Sequence, residues 1–321
     1  MKLMVKPYEQ RFPWNLDWNL LRTFMVVVEQ QGISRAAYFL GLKQPTISAA
    51  LKRLEDTTGH ELIVRKPNEF KVTRAGSLLY QECAQIFGSV SQLPSLLQSG
   101  AEELRGHISI ATTSHVISEH YDAVLHDFAV AHPKVTFSIA VAESEEVVSR
   151  VQQNRASLGI CLLHKIPANM RASVLYREYF GLFCGARHPL FGQERIELSE
   201  IEGETSVSFQ TETEEGPLFP VAQLRARAKL APGWRGVSSN LHELRRMIVA
   251  GVGIGALPLH VAKRDVESGR LRQLPPYTEL PLVNIYLLTN PQRKQSDAEA
   301  AFLALCQAAI TGTDLAERTY E

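Results

Sequence analysis

Residues 44–55 have the sequence Gln44-Pro45-Thr46-Ile47-Ser48-Ala49-Ala50-Leu51-Lys52-Arg53-Leu54-Glu55, and this stretch decides the fold of the N-terminal part of the chain. Its apolar side chains recur at spacings of three and four, which is the period of one helix face. The polar and small side chains lie on the opposite face. Proline in the first turn is tolerated because the N–H there has no helical partner. We therefore predict a helix with one buried and one exposed face.

Two further helices are predicted before this one, because residues 20–28 and 36–40 show the same apolar spacing. Ser34 is placed to cap the second helix, and Gly41 begins a tight link to the third. Two short helices joined by a glycine-containing turn are typical of a helix-turn-helix.

A basic hairpin is predicted directly after the third helix. Short β segments at 61–64 and 70–72 bracket the sequence Arg65-Lys66-Pro67-Asn68-Glu69, whose Pro-Asn pair suits a β-turn. Residues 16–76 carry nine basic and six acidic side chains, although Lys plus Arg and Asp plus Glu both total 34 in the whole chain. A basic N-terminal part on a neutral chain indicates that this end meets a polyanion.

The polar face of the third helix has the chemistry that DNA recognition needs. Gln44 can bond adenine edges, Thr46 and Ala49 can meet thymine methyl groups, and Lys52 and Arg53 can hold phosphate or guanine. A short helix of this kind fits the major groove of DNA. The alternative interpretation of the same pattern is a solvated polar face.

A long helix is predicted over residues 74–99, and a dimer seam runs along it. The apolar residues are spaced alternately by four and three, as in a two-stranded coiled coil, and are Leu79, Cys83, Ile86, Val90, Leu93 and Leu97. Pro94 lies inside this pattern and is expected to kink or end the helix.

Strands and helices alternate after residue 105, which predicts a parallel α/β sheet in two lobes separated by a cleft. We expect strands at 108–111, 135–142, 158–163, 173–176, 180–184, 207–209, 252–256 and 283–289, and helices at 116–131, 145–154, 241–249 and 297–310. The predicted organisation is an extension at 1–15, a winged helix-turn-helix at 16–76, a linker helix at 77–100, an α/β domain at 101–312 (lobes about 106–165 with 276–312, and about 166–275) and a tail at 313–321.

Several segments in a fixed order resemble the LysR-type transcriptional regulators. In the N-terminal part these are Gly32-Ile33-Ser34-Arg35-Ala36-Ala37, Gln44-Pro45-Thr46-Ile47-Ser48, Arg53-Leu54-Glu55 and Thr73-Arg74-Ala75-Gly76. In the α/β part they are His188-Pro189-Leu190 and Val249-Ala250-Gly251-Val252-Gly253-Ile254-Gly255-Ala256-Leu257-Pro258. The resemblance implies a winged helix-turn-helix, a dimerising linker helix and an effector-binding domain like a periplasmic binding protein.

The chain departs from the family pattern at the start of the third helix. Lys43 stands where a capping Ser is usual, and it cannot accept a hydrogen bond from a helix N–H, which costs about 1 kcal/mol. Ala49 and Ala50 replace side chains that are often long and polar, so specificity is expected to depend on methyl contacts and DNA shape. The candidate DNA-binding residues are Arg35, Lys43, Gln44, Pro45, Thr46, Ser48, Ala49, Lys52, Arg53, Lys66 and Lys71.

Two polar turns are candidates for the effector site. Residues 112–114 end the first strand of the α/β domain immediately before a predicted helix, and residues 238–240 precede a second helix. Helix N-termini offer free N–H groups that can hold a carboxylate or another polar group. The resemblance implies that the two turns face each other across the cleft; simple helix capping is the alternative. With strand ends that reach the same cleft, the candidates are Thr112, Thr113, Ser114, Leu163, His164, Phe209, Gln210, Ser238, Ser239 and Asn240. The acidic residues at 212, 214 and 215 are expected in a solvated loop; the alternative is that they turn inward and disfavour a strongly anionic ligand.

No catalytic, cofactor or metal site is predicted, because no nucleophile elbow, Walker loop, dinucleotide fingerprint or His-Glu-x-x-His motif occurs. The four cysteines are far apart in the sequence, which favours buried free thiols in a reducing compartment. The resemblance implies a cytoplasmic bacterial regulator, homodimeric or homotetrameric, that binds double-stranded operator DNA, a small effector and RNA polymerase, and no membrane. The alternative is an α/β binding protein or enzyme whose N-terminal helices serve protein contacts.

Overall fold

The structure is a computed structural model that describes residues 16–66, 69–91, 104–114 and 116–321. The chain divides after Ser91 into two compact units. Each unit buries its own apolar residues, so each is described by itself.

The first unit is a three-helix bundle followed by a hairpin and a long helix. Its elements are α1 (Trp18–Glu29), α2 (Ile33–Leu40), α3 (Gln44–Thr58), β1 (Ile63–Lys66), β2 (Glu69–Val72) and α4 (Arg74–Ser91). Phe24, Ile47, Leu51 and Leu54 are completely buried, because the apolar faces of α1 and α3 meet in the centre. The strands pair antiparallel, with Ile63 opposite Val72. The predicted helix-turn-helix and wing are therefore confirmed.

The helix ends follow from a few local residues. Gly41 and Gly59 end α2 and α3 with φ of 65° and 69°, the left-handed region that favours glycine. The prediction for Ser34 was wrong: Gly32 occupies the N-cap of α2, and no side chain among the described residues caps this helix. Ser34 lies inside the helix and instead accepts a hydrogen bond from the Gln44 side chain.

Part of the predicted dimer seam is buried in the core of the first unit and is not available to a second copy of the chain. Cys83 is completely buried in the core of this unit and Leu79 packs against the same core, so the prediction of an open seam is wrong at Cys83. Ile86 is half-buried, and Val90 is 49% exposed. Leu93, Pro94 and Leu97 lie outside the described residues, as do the C-terminal part of the predicted linker helix, residues 92–100, and the extension at 1–15.

The second unit is an α/β domain. Its elements are β3 (Gly106–Thr112), α5 (Glu119–Ala131), β4 (Val135–Val141), α6 (Ser144–Gln152), β5 (Leu158–Leu162), β6 (Arg171–Gly185), β7 (Val207–Phe209), α7 (Phe219–Arg227), β8 (Gly236–Ser238), α8 (Leu241–Val249), β9 (Gly255–Pro258), α9 (Leu259–Glu267), β10 (Leu271–Leu274), β11 (Leu282–Thr289), α10 (Asp297–Gly312) and β12 (Thr319–Tyr320).

The main sheet is mixed, not purely parallel as predicted. Strands β4, β3 and β5 are parallel, because helices α5 and α6 connect them. Strand β11 returns antiparallel to both β5 and β6, which strand alternation in the sequence did not reveal. Helices α7 and α9 and strands β8, β10 and β12 were also not predicted.

One strand, β6, belongs to both lobes. The sequence predicted two strands there, but a single strand pairs with β11 up to Tyr179 and with β9 and β10 from Phe180 onward. We call the part with the main sheet lobe I and the part with β7–β10 lobe II. The passage between the lobes therefore falls inside β6 and not at residue 166, and we call this region the hinge.

Candidate functional site

The exposed face of α3 is built as the sequence predicts. Ile47, Leu51 and Leu54 point into the core, which turns the intervening positions to solvent. The exposed residues of the helix include Gln44, Pro45, Thr46, Ala49, Lys52 and Arg53, and Ser48 is half-buried. Hydrogen-bonding, methyl and cationic groups therefore share one accessible surface.

The cationic side chains around this face differ in whether they already bind a neighbouring group of the protein. Lys43 stands at the N-cap of α3 and makes no side-chain bond to the helix, as predicted. The guanidinium of Arg53 lies 3.7 Å from the exposed carboxylate of Asp17, and the Arg35 side chain donates to the Gln31 carbonyl. Lys71 is exposed on β2; the side chain of Lys66 lies outside the described part of the structure.

The wing is fixed to the third helix by one carboxylate. The Glu55 Oε1 atom accepts hydrogen bonds from the N–H groups of Leu62 (3.0 Å) and Ile63 (3.3 Å). The Thr73 hydroxyl donates to the Glu61 carbonyl at 2.7 Å and accepts from the Gly76 N–H at 3.0 Å. These bonds hold β1 and the start of α4 in a fixed position relative to α3.

In the second unit, the two predicted polar turns meet. The Ser114 hydroxyl accepts a hydrogen bond from the Leu241 N–H at 3.0 Å and donates to the Ser239 carbonyl at 3.4 Å. Asn240 caps α8 by accepting from the N–H groups of His242 and Glu243. The contact joins lobe I to lobe II, and it already uses N–H groups at the start of α8.

The other candidates of the first turn are placed differently from the prediction. Thr112 ends β3, and Thr113 is buried with its hydroxyl unpaired within the described residues. The next helix, α5, begins only at Glu119 and is capped by Ser118, so Thr112, Thr113 and Ser114 do not stand at a helix N-terminus.

Two adjacent cavities of about 280 and 330 Å³ contain some of the remaining candidates. Leu163 and His164 line the first, and Gln210 lines the second. The residues common to both are Ser144, Glu145, Glu215 and Pro217. Sequence reasoning did not select Ser144, Glu145 and Pro217, whose only signal was position at a helix start and in the loop after a strand. It expected Glu215 in a solvated loop, whereas this residue lines both cavities. Phe209 is buried and is not among the residues that line these two cavities.

Glu212 corrects the prediction of a solvated loop. Its carboxylate is completely buried, accepts from the Phe209 N–H at 2.9 Å and lies 3.6 Å from the guanidinium of Arg225. Burial raises the pKa of Glu212 to about 7, although the Phe209 N–H and Arg225 oppose the shift. Arg225 also donates to the Ser206 hydroxyl at 2.7 Å. This network fixes the backbone just before Gln210.

The cysteines lie where buried thiols were expected. Cys83, Cys161, Cys184 and Cys306 are buried and unpaired with one another. Burial raises the pKa of Cys161 to about 12 and that of Cys184 to about 11, which keeps both thiols protonated and unreactive. In the described ranges, no cluster of three His, Cys, Asp or Glu side chains could hold a metal ion. None of the described helices has the length and apolar character needed to cross a bilayer.

A winged helix-turn-helix with an exposed third helix, joined to a two-lobed α/β domain with a cleft, defines the class of ligand-responsive DNA-binding regulators. The family description "Bacterial regulatory helix-turn-helix protein, lysR family" matches residues 18–77, and "LysR substrate binding domain" matches residues 101–311. The chain therefore belongs to the LysR family and is a transcription regulator with a helix-turn-helix DNA-binding domain and a substrate-binding domain.

Relatives and solved structures agree with this assignment. The chain is 23% identical to the HTH-type transcriptional regulator CysL of Bacillus subtilis, over 78% of this chain and 83% of CysL. It is 26% identical to the regulator CfxR of Cupriavidus necator, over 78% of each. The fold is similar to that of the LysR-family regulator CbnR, with a TM-score of 0.66 at 17% identity over 93% of this chain and 100% of CbnR. The structure of full-length CbnR in complex with its target DNA has a TM-score of 0.63 at 17% identity, over 92% of this chain and 100% of CbnR.

Proposed function

We propose that this protein binds double-stranded operator DNA through the exposed face of α3, and that a small molecule in the cleft of the second unit controls this binding. The observation that carries the proposal is that Gln44, Thr46, Lys52 and Arg53 are all exposed on one short helix whose other face is buried. A helix that presents these groups is suited to the major groove.

We propose two kinds of DNA contact. Lys52 and Arg53, with Arg35, Lys43, Lys66 and Lys71, are proposed to hold phosphates and so to set the position of the protein on the duplex. Gln44, Pro45, Thr46, Ser48 and Ala49 are proposed to meet base edges. Because one short helix makes few contacts, the working form is proposed to be a homodimer or homotetramer on a dyad operator.

The further partners follow from the family. We propose that the protein acts in the bacterial cytoplasm, contacts RNA polymerase and catalyses no reaction. The relatives CysL and CfxR are transcriptional regulators, which supports a regulatory and not an enzymatic role. CbnR has been solved in complex with its target DNA, which supports the same mode of binding here.

The test of the DNA interface replaces two neighbouring cations. Lys52→Ala/Arg53→Ala should weaken binding to all sequences by about tenfold or more and make the slope of log affinity against log salt less steep by about 2, because two phosphate contacts are lost. Binding is measured by fluorescence anisotropy over a range of salt concentrations. The matched control is Lys263→Ala/Arg264→Ala, an exposed Lys-Arg pair on α9 of the second unit.

Equal affinity and salt slope for the Lys52/Arg53 variant and the parent protein would contradict the proposed interface. So would an equal loss in the control, because a general loss of positive charge would then explain both results.

The cleft is proposed to hold the effector between the two lobes. Ser114 joins lobe I to the start of α8, and cavities of about 280 and 330 Å³ lie beside Gln210 and His164. These volumes are close to the lower limit of ordinary ligand pockets, which favours a small metabolite. Binding there would change contacts of both lobes, which is how a ligand shifts a conformational equilibrium.

The test of the cleft is a thermal-shift screen of small organic acids, amines and sugars against the full chain. A ligand at 100 times its Kd should stabilise the protein by about 2.7 kcal/mol. His164→Ala should reduce the affinity of such a ligand about tenfold, whereas His126→Ala, an exposed histidine on α5, should leave it unchanged. A ligand whose affinity is the same in the parent, His164→Ala and Ser114→Ala would place the effector site elsewhere.

A further inference from the structure

The last nine residues of the chain fold back onto the hinge. They lie beyond residue 311, where the matched substrate-binding domain ends. Strand β12 pairs in parallel with β6, with Thr319 opposite Arg177 and Tyr320 opposite Glu178. The Arg177 N–H donates to the Arg318 carbonyl at 2.8 Å, which continues the sheet by one strand. The chain end is therefore part of the second unit.

A buried arginine anchors this segment to lobe I. The Arg318 side chain donates to the carbonyl groups of Val174 (2.8 Å), Leu175 and Ile310 (2.9 Å). Arg318 is only 5% exposed. Because backbone carbonyls satisfy its guanidinium, the anchor needs no acidic partner. The segment is thus tied to the lobe I part of β6 and to the last turn of α10.

Tyr320, two residues further on, touches both lobes. Its hydroxyl lies 2.9 Å from the Ser118 hydroxyl and 2.7 Å from Nδ1 of His120, at the start of α5 in lobe I. Its ring centroid lies 5.0 Å from that of His260 on α9, in lobe II. The Tyr176 ring of β6, at 5.2 Å, packs against it edge-on. One aromatic side chain therefore links α5, β6 and α9.

The position of this link matches the place where the lobes must move. Strand β6 passes from lobe I to lobe II between Tyr179 and Phe180, directly after the residues that pair with β12. His260 also faces the Ile117 carbonyl of lobe I at 3.2 Å. Any rotation of one lobe against the other at this strand changes the distance between α5 and α9, which Tyr320 bridges.

We infer that the C-terminal segment 313–321 is a strap that holds the two lobes together at the hinge, with Tyr320 as the residue that fastens lobe II. The hydroxyl of Tyr320 holds α5, and its ring holds α9. Release of the strap frees the lobes to change their relative orientation. This device acts on lobe movement whatever ligand the cleft takes.

Hydrogen exchange of the full-length protein tests the strap. Tyr320→Ala should speed exchange at least about threefold both in the first turn of α5 and in α9, because opening of weakly held elements becomes easier. Tyr320→Phe keeps the ring and should speed exchange in α5 alone. The control is Tyr286→Ala, a half-buried tyrosine of lobe I whose hydroxyl accepts from Asn284 on its own strand; it should leave α9 unchanged.

The inference is overturned if Tyr320→Ala speeds exchange in lobe I while α9 exchanges as in the parent, or if Tyr286→Ala affects α9 equally. If Tyr320→Ala does not fold, His260→Ala removes the same ring contact from the other lobe. It should speed exchange in β12, and unchanged exchange there would contradict the strap.

Discussion

The environment of the Glu178 carboxyl group makes the stability of the second unit depend on pH. Glu178 is completely buried, and neither of its oxygens has a hydrogen-bond partner among the described residues. Among the described residues, the basic side chain paired with it is that of His260, whose Nε2 lies 3.9 Å from the carboxyl group; burial lowers the pKa of His260, which disfavours its charged form. Burial raises the pKa of Glu178 well above its ordinary value, so folding favours the protonated form of this carboxyl group.

The sign of the effect on stability follows from the direction of this shift. In the unfolded chain the carboxyl loses its proton near its ordinary pKa, whereas in the folded chain it retains the proton to higher pH. The folded state therefore binds more protons over that interval, and the free energy of unfolding falls as pH rises above the ordinary carboxyl range.

Glu178→Gln should abolish this contribution, because the amide is neutral at every pH. The free energy of unfolding should exceed that of the parent at pH 8, and the difference should shrink towards pH 4, where the carboxyl group is protonated in both states. Urea unfolding at several pH values measures it. Glu267→Gln, at an exposed position at the end of α9, is the control and should show no such difference. A difference that stays constant with pH would contradict the assignment to Glu178.

Residue roles could be predicted where local periodicity decides them. The exposed face of α3 follows from spacing alone. The positions of Ser34 and Glu212 do not, because Gln44 and Arg225, ten and thirteen residues further along the chain, decide them. The local sequence around a loop carboxylate does not show whether the side chain turns towards solvent or towards a buried cation.

At the scale of elements, the start of α4 depends on one glycine. A Cβ atom at Gly76 would lie 2.2 Å from the Leu62 carbonyl oxygen and 2.8 Å from Val72, so backbone and side chain of the wing leave no room for it. This close approach lets the Gly76 N–H reach the Thr73 hydroxyl and lets α4 begin directly after β2.

Gly76→Ala should therefore lower the free energy of unfolding of the first unit by about 3 kcal/mol, because the wing and α4 must separate. Chemical denaturation measures the loss. Gly312→Ala is the matched control, since no atom of the described residues outside its own helix backbone and chain neighbours lies within 4 Å of a Cβ there and its φ is ordinary for an L-residue. Equal stability of Gly76→Ala and the parent would show that the hairpin moves aside easily.

Helices were easier to predict than strands. The spacing of apolar residues predicts both α3 and α8, and α8 has the predicted bounds of Leu241–Val249. Strand β6 was predicted as two strands because Arg177, Glu178 and Tyr179 interrupt its apolar pattern. The structure covers these residues with β12 and α9, a contact between segments more than eighty residues apart that no local pattern contains.

At the scale of the whole molecule, the division after Ser91 separates the DNA-binding domain from the substrate-binding domain. The apolar cores of the two units share no residue, so each is expected to be stable by itself. The organisation as a helix-turn-helix followed by a two-lobed domain could be predicted, because the characteristic sequence segments of both parts occur in the expected order. The antiparallel return of β11 and the folded-back chain end could not, because their partners are distant in sequence.

A fragment of residues 92–321 should unfold cooperatively, retain ligand binding and show no affinity for DNA. Calorimetry and anisotropy on the fragment and the full chain measure these properties. Retention of DNA binding by the fragment would contradict the assignment of the interface to α3. Turnover of a metabolite by the fragment would favour the alternative of an enzyme.

The four buried thiols make the protein convenient for fluorescence work. Burial raises the pKa values of Cys83 and Cys184 to about 11 and those of Cys161 and Cys306 to about 12. Maleimide dyes react with thiolates, so the natural cysteines should remain unmodified at neutral pH. A cysteine introduced on each lobe could then carry a dye pair for energy transfer, without first removing any native thiol.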